Sequence, residues 1–328
     1  MFNTINIVTL GNLKNMGEIY NAIGKADQIQ TSFNFEIYLK GITEKNLQIE
    51  NFKLPNGGYD FIQLCERIIK KYDFTNHAIF ITNKPFSTRE QGELPEQFYF
   101  HHNNSAHKYS IISTYLWDSL NPQYPLQSYI LLSLALMMLL TNIKIGIHTE
   151  TRGCVCDYCD NPADFLGILK KNGFCNECES FIHNQLEKKN LSVDKLISIK
   201  RLVNRALCKK ICFVAIPFQD KYFQILGLIK TTLKSYEVII GNESIMPQKI
   251  NDAILLNINM CDLFIGEISE SNPNVYFEIG LAQNKFCNLV LLSDNNNIPF
   301  DLKMNQIIMY DDYSKLESNL HRLDCLEF

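Results

Sequence analysis

Residues 211–240, ICFVAIPFQDKYFQILGLIKTTLKSYEVII, decide the fold of the second part of the chain. Ile211–Ile216 is a continuous apolar run, as expected of a strand buried on both faces. A turn at Pro217-Phe218-Gln219-Asp220 leads into a helical pattern over Gln219–Leu233, and Tyr236–Ile240 reads as a second strand. The same texture continues as helix Gln248–Asn259, strand Leu263–Ile268, helix Pro273–Lys285, strand Leu289–Leu292 and strand Gln306–Tyr310. Short apolar runs alternating with helices of about 10–15 residues mark a parallel sheet with right-handed crossovers. The expectation for 211–328 is a flavodoxin-like, doubly wound, five-stranded parallel sheet.

Working outward, residues 1–150 also alternate, which predicts an α/β or α+β domain. Strand patterns occupy Ile5–Leu10, Phe33–Leu39, His77–Thr82 and Tyr109–Tyr115, and helical patterns Met16–Ala26, Asp60–Tyr72 and Leu126–Leu140. The stretch Asn83–Asn104 is broken by Pro, Gly, Ser and Asn and reads as loop. Residues 151–183 form a cysteine-rich insert. Residues 184–210 follow as an amphipathic connector helix, with Leu191, Leu196, Ile199, Leu202, Val203 and Ala206 mostly on one stripe.

The chain of 328 residues carries Lys+Arg 31 against Asp+Glu 35, so no global basic field indicates nucleic acid. The most apolar stretch, Tyr129–Leu140, is too short for a membrane span of about 20 residues and reads as a buried core helix. Met1–Val8 lacks a basic leader region and reads as a first strand. Together these place the chain in the cytoplasm, where eleven cysteines argue for thiols and metal, not disulfides.

Cys154-x4-Cys159 is followed after fifteen residues by Cys175-x2-Cys178. Two close pairs across a short excursion allow four thiolates to meet one tetrahedral zinc at about 2.3 Å, a closed structural site with no place for water. Cys156 lies between the first pair as an alternative ligand; His148 and His183 are nearby alternatives too, each read first as an ordinary surface imidazole. This spacing resembles the zinc knuckle of the archaemetzincin metalloproteases. Their catalytic HExxHxxGxxHC motif would place its three His and its Glu where this chain has Ile143, Lys144, Ile147 and Gly153. The resemblance therefore implies a protease-like scaffold without proteolysis, used for sensing or assembly.

In the second part, CDLFIGEISESNPNVYFEIGLA over residues 261–282 is the informative segment. Asn272-Pro273 marks a helix start, with Asn suited to the cap and Pro to the first turn. Val275, Phe277, Ile279, Leu281, Ala282 and Phe286 make a broad apolar arc, and Glu278 falls inside it. A carboxylate there is paired, raised in pKa or turned to a cleft. The Pro217-Phe218 turn and the 267–276 loop both follow strands, where ligands of doubly wound sheets bind.

IPF after the first strand, the 261–282 segment and the later IPFDLK resemble bacterial TIR-like proteins, which share a fold with nucleoside 2-deoxyribosyltransferases. The resemblance covers roughly 211–312 and implies that Glu278 carries cleavage of an N-glycosidic bond. NAD or a related nucleotide is then the substrate, not a cofactor. Glu267 stands where relatives often have Asp. Ser269, Asn272 and Asn274 become ribose-positioning candidates, and Phe218 beside Pro217, or Tyr276, a stacking surface for the base. The resemblance further implies an anti-phage effector, a homo-oligomer completing the site, and a defence-system protein partner. A 2-deoxyribosyltransferase-like enzyme and a non-catalytic nucleotide sensor are the alternatives.

Overall fold

The computed structural model describes all residues except 1–2, 12, 14, 39–46, 56, 88–100, 116, 118–125, 151, 158–166, 169–172, 242–249, 284–286 and 326–328. The chain forms two compact units, Met1–Cys208 and Lys209–Phe328.

In the first unit, β1 (Asn3–Leu10), β2 (Phe33–Ile37), β3 (His77–Thr82), β4 (His101–Asn104) and β5 (Tyr109–Ser113) form one sheet. Their order is β2-β1-β3-β5-β4, parallel except for the edge pair β4–β5. Helix α1 (Met16–Ile29) buries Ile19, Ala22, Ile23 and Ala26 at the i, i+3, i+4, i+7 spacing of one face. Helix α2 (Phe61–Tyr72) starts at Asp60, whose carboxylate accepts from the Gln63 amide at 3.0 Å. Helix α3 (Leu126–Ile143) is apolar all round and packs against α1 and α5 (Val193–Ala206). Among the described residues it is the one helix long and apolar enough to cross a membrane, and 83% of it is buried inside the protein. Helix α4 (Asn176–Glu187) follows the cysteine-rich segment.

One sequence expectation changes here. β4 lies in the stretch read as loop: His101-His102-Asn103-Asn104 has no apolar alternation, and it is a strand through pairing with β5 alone. The amphipathic segment 184–210 contributes α5, whose apolar stripe packs on α3 within the first unit.

The second unit contains β6 (Lys210–Ala215), α6 (Asp220–Thr232), β7 (Tyr236–Ile240), α7 (Ile250–Met260), β8 (Leu263–Glu267), α8 (Pro273–Ala282), β9 (Asn288–Ser293), β10 (Gln306–Met309) and α9 (Tyr313–Cys325). The sheet order is β10-β9-β8-β6-β7, with every pair parallel. Alternation along β6 builds two cores. Cys212 and Val214 pack with Tyr222, Ile225, Leu316 and Leu320 of α6 and α9, while Phe213 and Ala215 pack with Ile258, Val275 and Ile279 of α7 and α8. Helices thus cover both faces. Helix α9 was not anticipated from the sequence, although Leu316, Leu320 and Leu323 carry its buried stripe.

Candidate functional site

The strand order of the second unit reverses between β6 and β8, so the loops leaving those strands flank the switch point. Pro217 is buried, whereas the Phe218 ring is 60% exposed. Gln219 Nε2 donates to Glu270 at 3.1 Å and Lys221 pairs with the same carboxylate, tying the two loops together. Glu267, at the end of β8, is wholly buried; it accepts from the Ser269 amide at 2.8 Å and from Tyr310 Oη at 3.0 Å. Burial raises its pKa and those bonds oppose the rise. Ser269 in turn accepts from the Asp294 amide at 2.9 Å, and Asn295 Nδ2 donates to the Ser269 carbonyl at 2.8 Å. Asn272 caps α8 by accepting from the amides of Asn274 and Val275 at 3.0 and 3.3 Å. The Asn274 backbone serves that cap, and Tyr276 Oη reaches Ser271 at 3.5 Å.

Glu278 is apart from this network. Helix α8 lies close on β8 because Gly266 has no side chain there: a Cβ would come within 3.0 Å of Ile279 Cγ1. That approach brings the preceding residue, Glu278, to the end of β7, where its Oε1 is 3.3 Å from the Cβ position of Gly241. The carboxylate is half-buried and makes no hydrogen bond or ion pair with a described residue. Desolvation alone pushes its pKa up to about 7.

In the first unit the Nε2 of His148 and the sulfurs of Cys154, Cys175 and Cys178 all lie within 4.8 Å of one another. His148 Nε2 is 3.1 Å from Cys178 Sγ and 3.3 Å from Cys175 Sγ. One nitrogen and three sulfurs converging this closely suit tetrahedral zinc, whose ligand atoms sit roughly 3.5–3.8 Å apart. The fold prepares the site. Asp157 accepts from three successive amides, Arg152, Gly153 and Cys154, at 2.6, 2.5 and 2.9 Å, and fixes the turn that carries Cys154. Gly153 takes the positive φ of 78° that this turn requires. The amides of Cys156 and Cys175 donate to Cys154 Sγ at 3.4 and 3.3 Å. The Cys154 thiol is drawn down to about 5, first by the Cys156 thiol bonded to it, with those two amides adding to the effect.

Three of the four cysteines expected as ligands meet in this cluster; Cys159 lies outside the described residues. Of the two histidine alternatives, His148 is the one whose Nε2 reaches the sulfurs, and the amide of its own residue donates to the Cys156 carbonyl at 2.9 Å. His183 instead lies 3.6 Å from Glu179. Ile143, Lys144, Ile147 and Gly153 bring no metal-binding side chain to the protease positions.

No protein-family model matches the sequence, and the search of curated proteins finds no match. Solved structures do align with it. Archaemetzincin from Methanopyrus kandleri is 12% identical with a TM-score of 0.38, over 57% of this chain and 96% of that one. Archaemetzincin from Archaeoglobus fulgidus, complexed with malonate, is 14% identical with a TM-score of 0.36, over 54% and 99%. The CMP N-glycosidase of Clostridium botulinum is 20% identical with a TM-score of 0.29, over 34% and 98%.

Sequence reasoning singled out Glu278 but missed its neighbour Gly241, as well as Lys221, Glu270, Asn295 and Tyr310. Gly241 carries no local signal, since its role is the space it leaves for a residue 37 positions later. The 217–220 turn held a better clue, because a cation beside an exposed aromatic after a first strand is visible in Phe218-Gln219-Asp220-Lys221.

Proposed function

We propose that the second unit, a flavodoxin-like doubly wound domain, cleaves the N-glycosidic bond of a nucleotide, with Glu278 as the reacting carboxylate. The observation that carries this reading is a desolvated carboxylate, without a partner among the described residues, at the carboxyl end of a parallel sheet, with a pKa of about 7. Nothing within the described protein neutralises it, so a positive centre in a bound substrate would. Breaking a ribose–base bond creates that centre. The C1′–N electron pair leaves with the base, an oxocarbenium-like C1′ remains, and Glu278 stabilises it or bonds to it. Water then supplies the hydroxyl at C1′ and its proton passes to the carboxylate or to solvent.

NAD suits a site with one carboxylate, because nicotinamide leaves from a cationic state and needs no proton. Phe218 or Tyr276 offers the base a stacking face, and Ser269, Asn272 and Asn274 polar groups for the ribose. A second copy of the chain completes the site, and an anti-phage role with a defence partner follows from the same family resemblance. The test is release of free base from NAD, cytidine monophosphate and deoxynucleosides at several protein concentrations. Base released from NAD or the monophosphate, rising faster than linearly with protein, supports the reading. Base exchange confined to deoxynucleosides would replace it with the transferase, and binding without turnover would replace it with a nucleotide sensor.

A further inference from the structure

A cavity of ≈ 400 Å³ opens at the start of β1, β2 and β3, bounded by the β4–β5 turn, the last turn of α3 and Lys195 of α5. That volume is within the range of about 300–1,000 Å³ typical of small-molecule sites. Lys108 and Lys195 line it, and among the described residues no Asp or Glu does. Each is held by a neutral oxygen: Lys195 Nζ donates to Asn142 Oδ1 at 2.8 Å, and Lys108 Nζ to the Thr75 carbonyl at 3.2 Å. Asn142 is itself fixed, its Nδ2 donating to the Met138 carbonyl at 2.8 Å. Neither lysine makes an ion pair with a described residue, so no carboxylate there offsets either charge, and each ammonium has two further N–H donors. Thr141 Oγ1 lies buried at the wall without a partner among the described residues.

Charge decides what such a cavity takes. The last turn of α3 contributes the negative end of a helix dipole, about half a charge, against two full positive charges. His77 adds none, because burial holds its imidazole down at about 4. The balance is about +1.5 with hydroxyl and amide donors around it, and it lacks any guanidinium. Lysines bind phosphate as point charges, and two of them match the charge of about −1.5 to −2 on a phosphate better than the single charge of a carboxylate. We infer that the first unit carries a binding site for a small phosphorylated ligand in this cavity, separate from the zinc cluster and independent of the reaction proposed for the second unit.

The test is calorimetric titration of inorganic phosphate, pyrophosphate and adenosine monophosphate into the full chain, with adenosine as the uncharged control. Glu278→Gln provides the background, so that turnover adds no heat. Binding of at least one phosphate compound at millimolar concentration or below, absent for adenosine and weakened about tenfold or more by both Lys195→Gln and Lys108→Gln, is the expected result. No phosphate binding at millimolar concentration, or affinity unchanged in either variant, overturns it. Should Lys195→Gln fail to fold by circular dichroism, Lys108→Gln decides alone, since Lys108 is exposed.

Discussion

Glu278 is held against solvation by its neighbours, and that has a measurable cost to folding. Its carboxyl ionises near the ordinary 4.5 in the unfolded chain and near 7 in the folded one. Between those values the folded state binds more protons, so this group's contribution falls as pH rises and is fully unfavourable above 7. Glu278→Gln is therefore expected to raise the melting temperature by a few degrees above pH 7 and to change it little below pH 4.5, read by thermal scans across that range. A variant that melts lower at pH 8 would mean that the carboxylate has a stabilising partner. Gly241→Ala tests the same contact from the other side. Its Cβ would meet Ile254 Cγ1 at 3.1 Å and Glu278 Oε1 at 3.3 Å, so the carboxylate must shift. Base release should fall while the variant still folds, with a stability loss of about 1–3 kcal/mol on denaturant titration.

At the scale of elements, the strongest constraint is the seating of α8 on β8. A Cβ at Gly266 would press on Ile279 at 3.0 Å and Leu291 at 3.1 Å, both in the closed core, so Gly266→Ala is expected to cost about 1–3 kcal/mol in denaturant titration. The helix start at Asn272-Pro273 was legible because capping is local chemistry: the Asn272 side chain accepts from two amides within three residues. β4 was not legible, because its register against β5 is set by a partner strand and not by its own polar residues. The His/Cys cluster falls between these cases. Paired cysteines announce a metal by spacing, but His148 joins from 30 residues before Cys178 and carries no spacing signal. Zinc, if bound here, should be chelatable with loss of folding in the first unit. His148→Ala should lower metal content and melting temperature together, whereas a variant with unchanged zinc would remove this histidine from the ligand set.

On the scale of the whole molecule, the second unit was the more readable of the two. Its buried strands are continuous apolar runs separated by helices, so element order, and with it a parallel sheet, could be read directly from residues 211–310. Its site was legible only as far as one helix carries information: Glu278 within an apolar arc, but not Gly241 at the end of a distant strand. In the first unit the alternation gave the four parallel strands, while the edge strand and the docking of α5 depend on long-range partners. One function-bearing prediction joins sequence and structure: a carboxylate of pKa about 7 must be ionised to stabilise an oxocarbenium-like centre. The measurement is the pH dependence of kcat/KM for base release by the wild type and Glu278→Gln, from about pH 5 to 9. The rate should rise with pH, level off above an apparent pKa near 7, and fall by a factor of roughly a hundred or more at every pH in the variant. A rate that declines through pH 7 would make Glu278 a proton donor instead, and a variant as active as the wild type would remove it from the reaction.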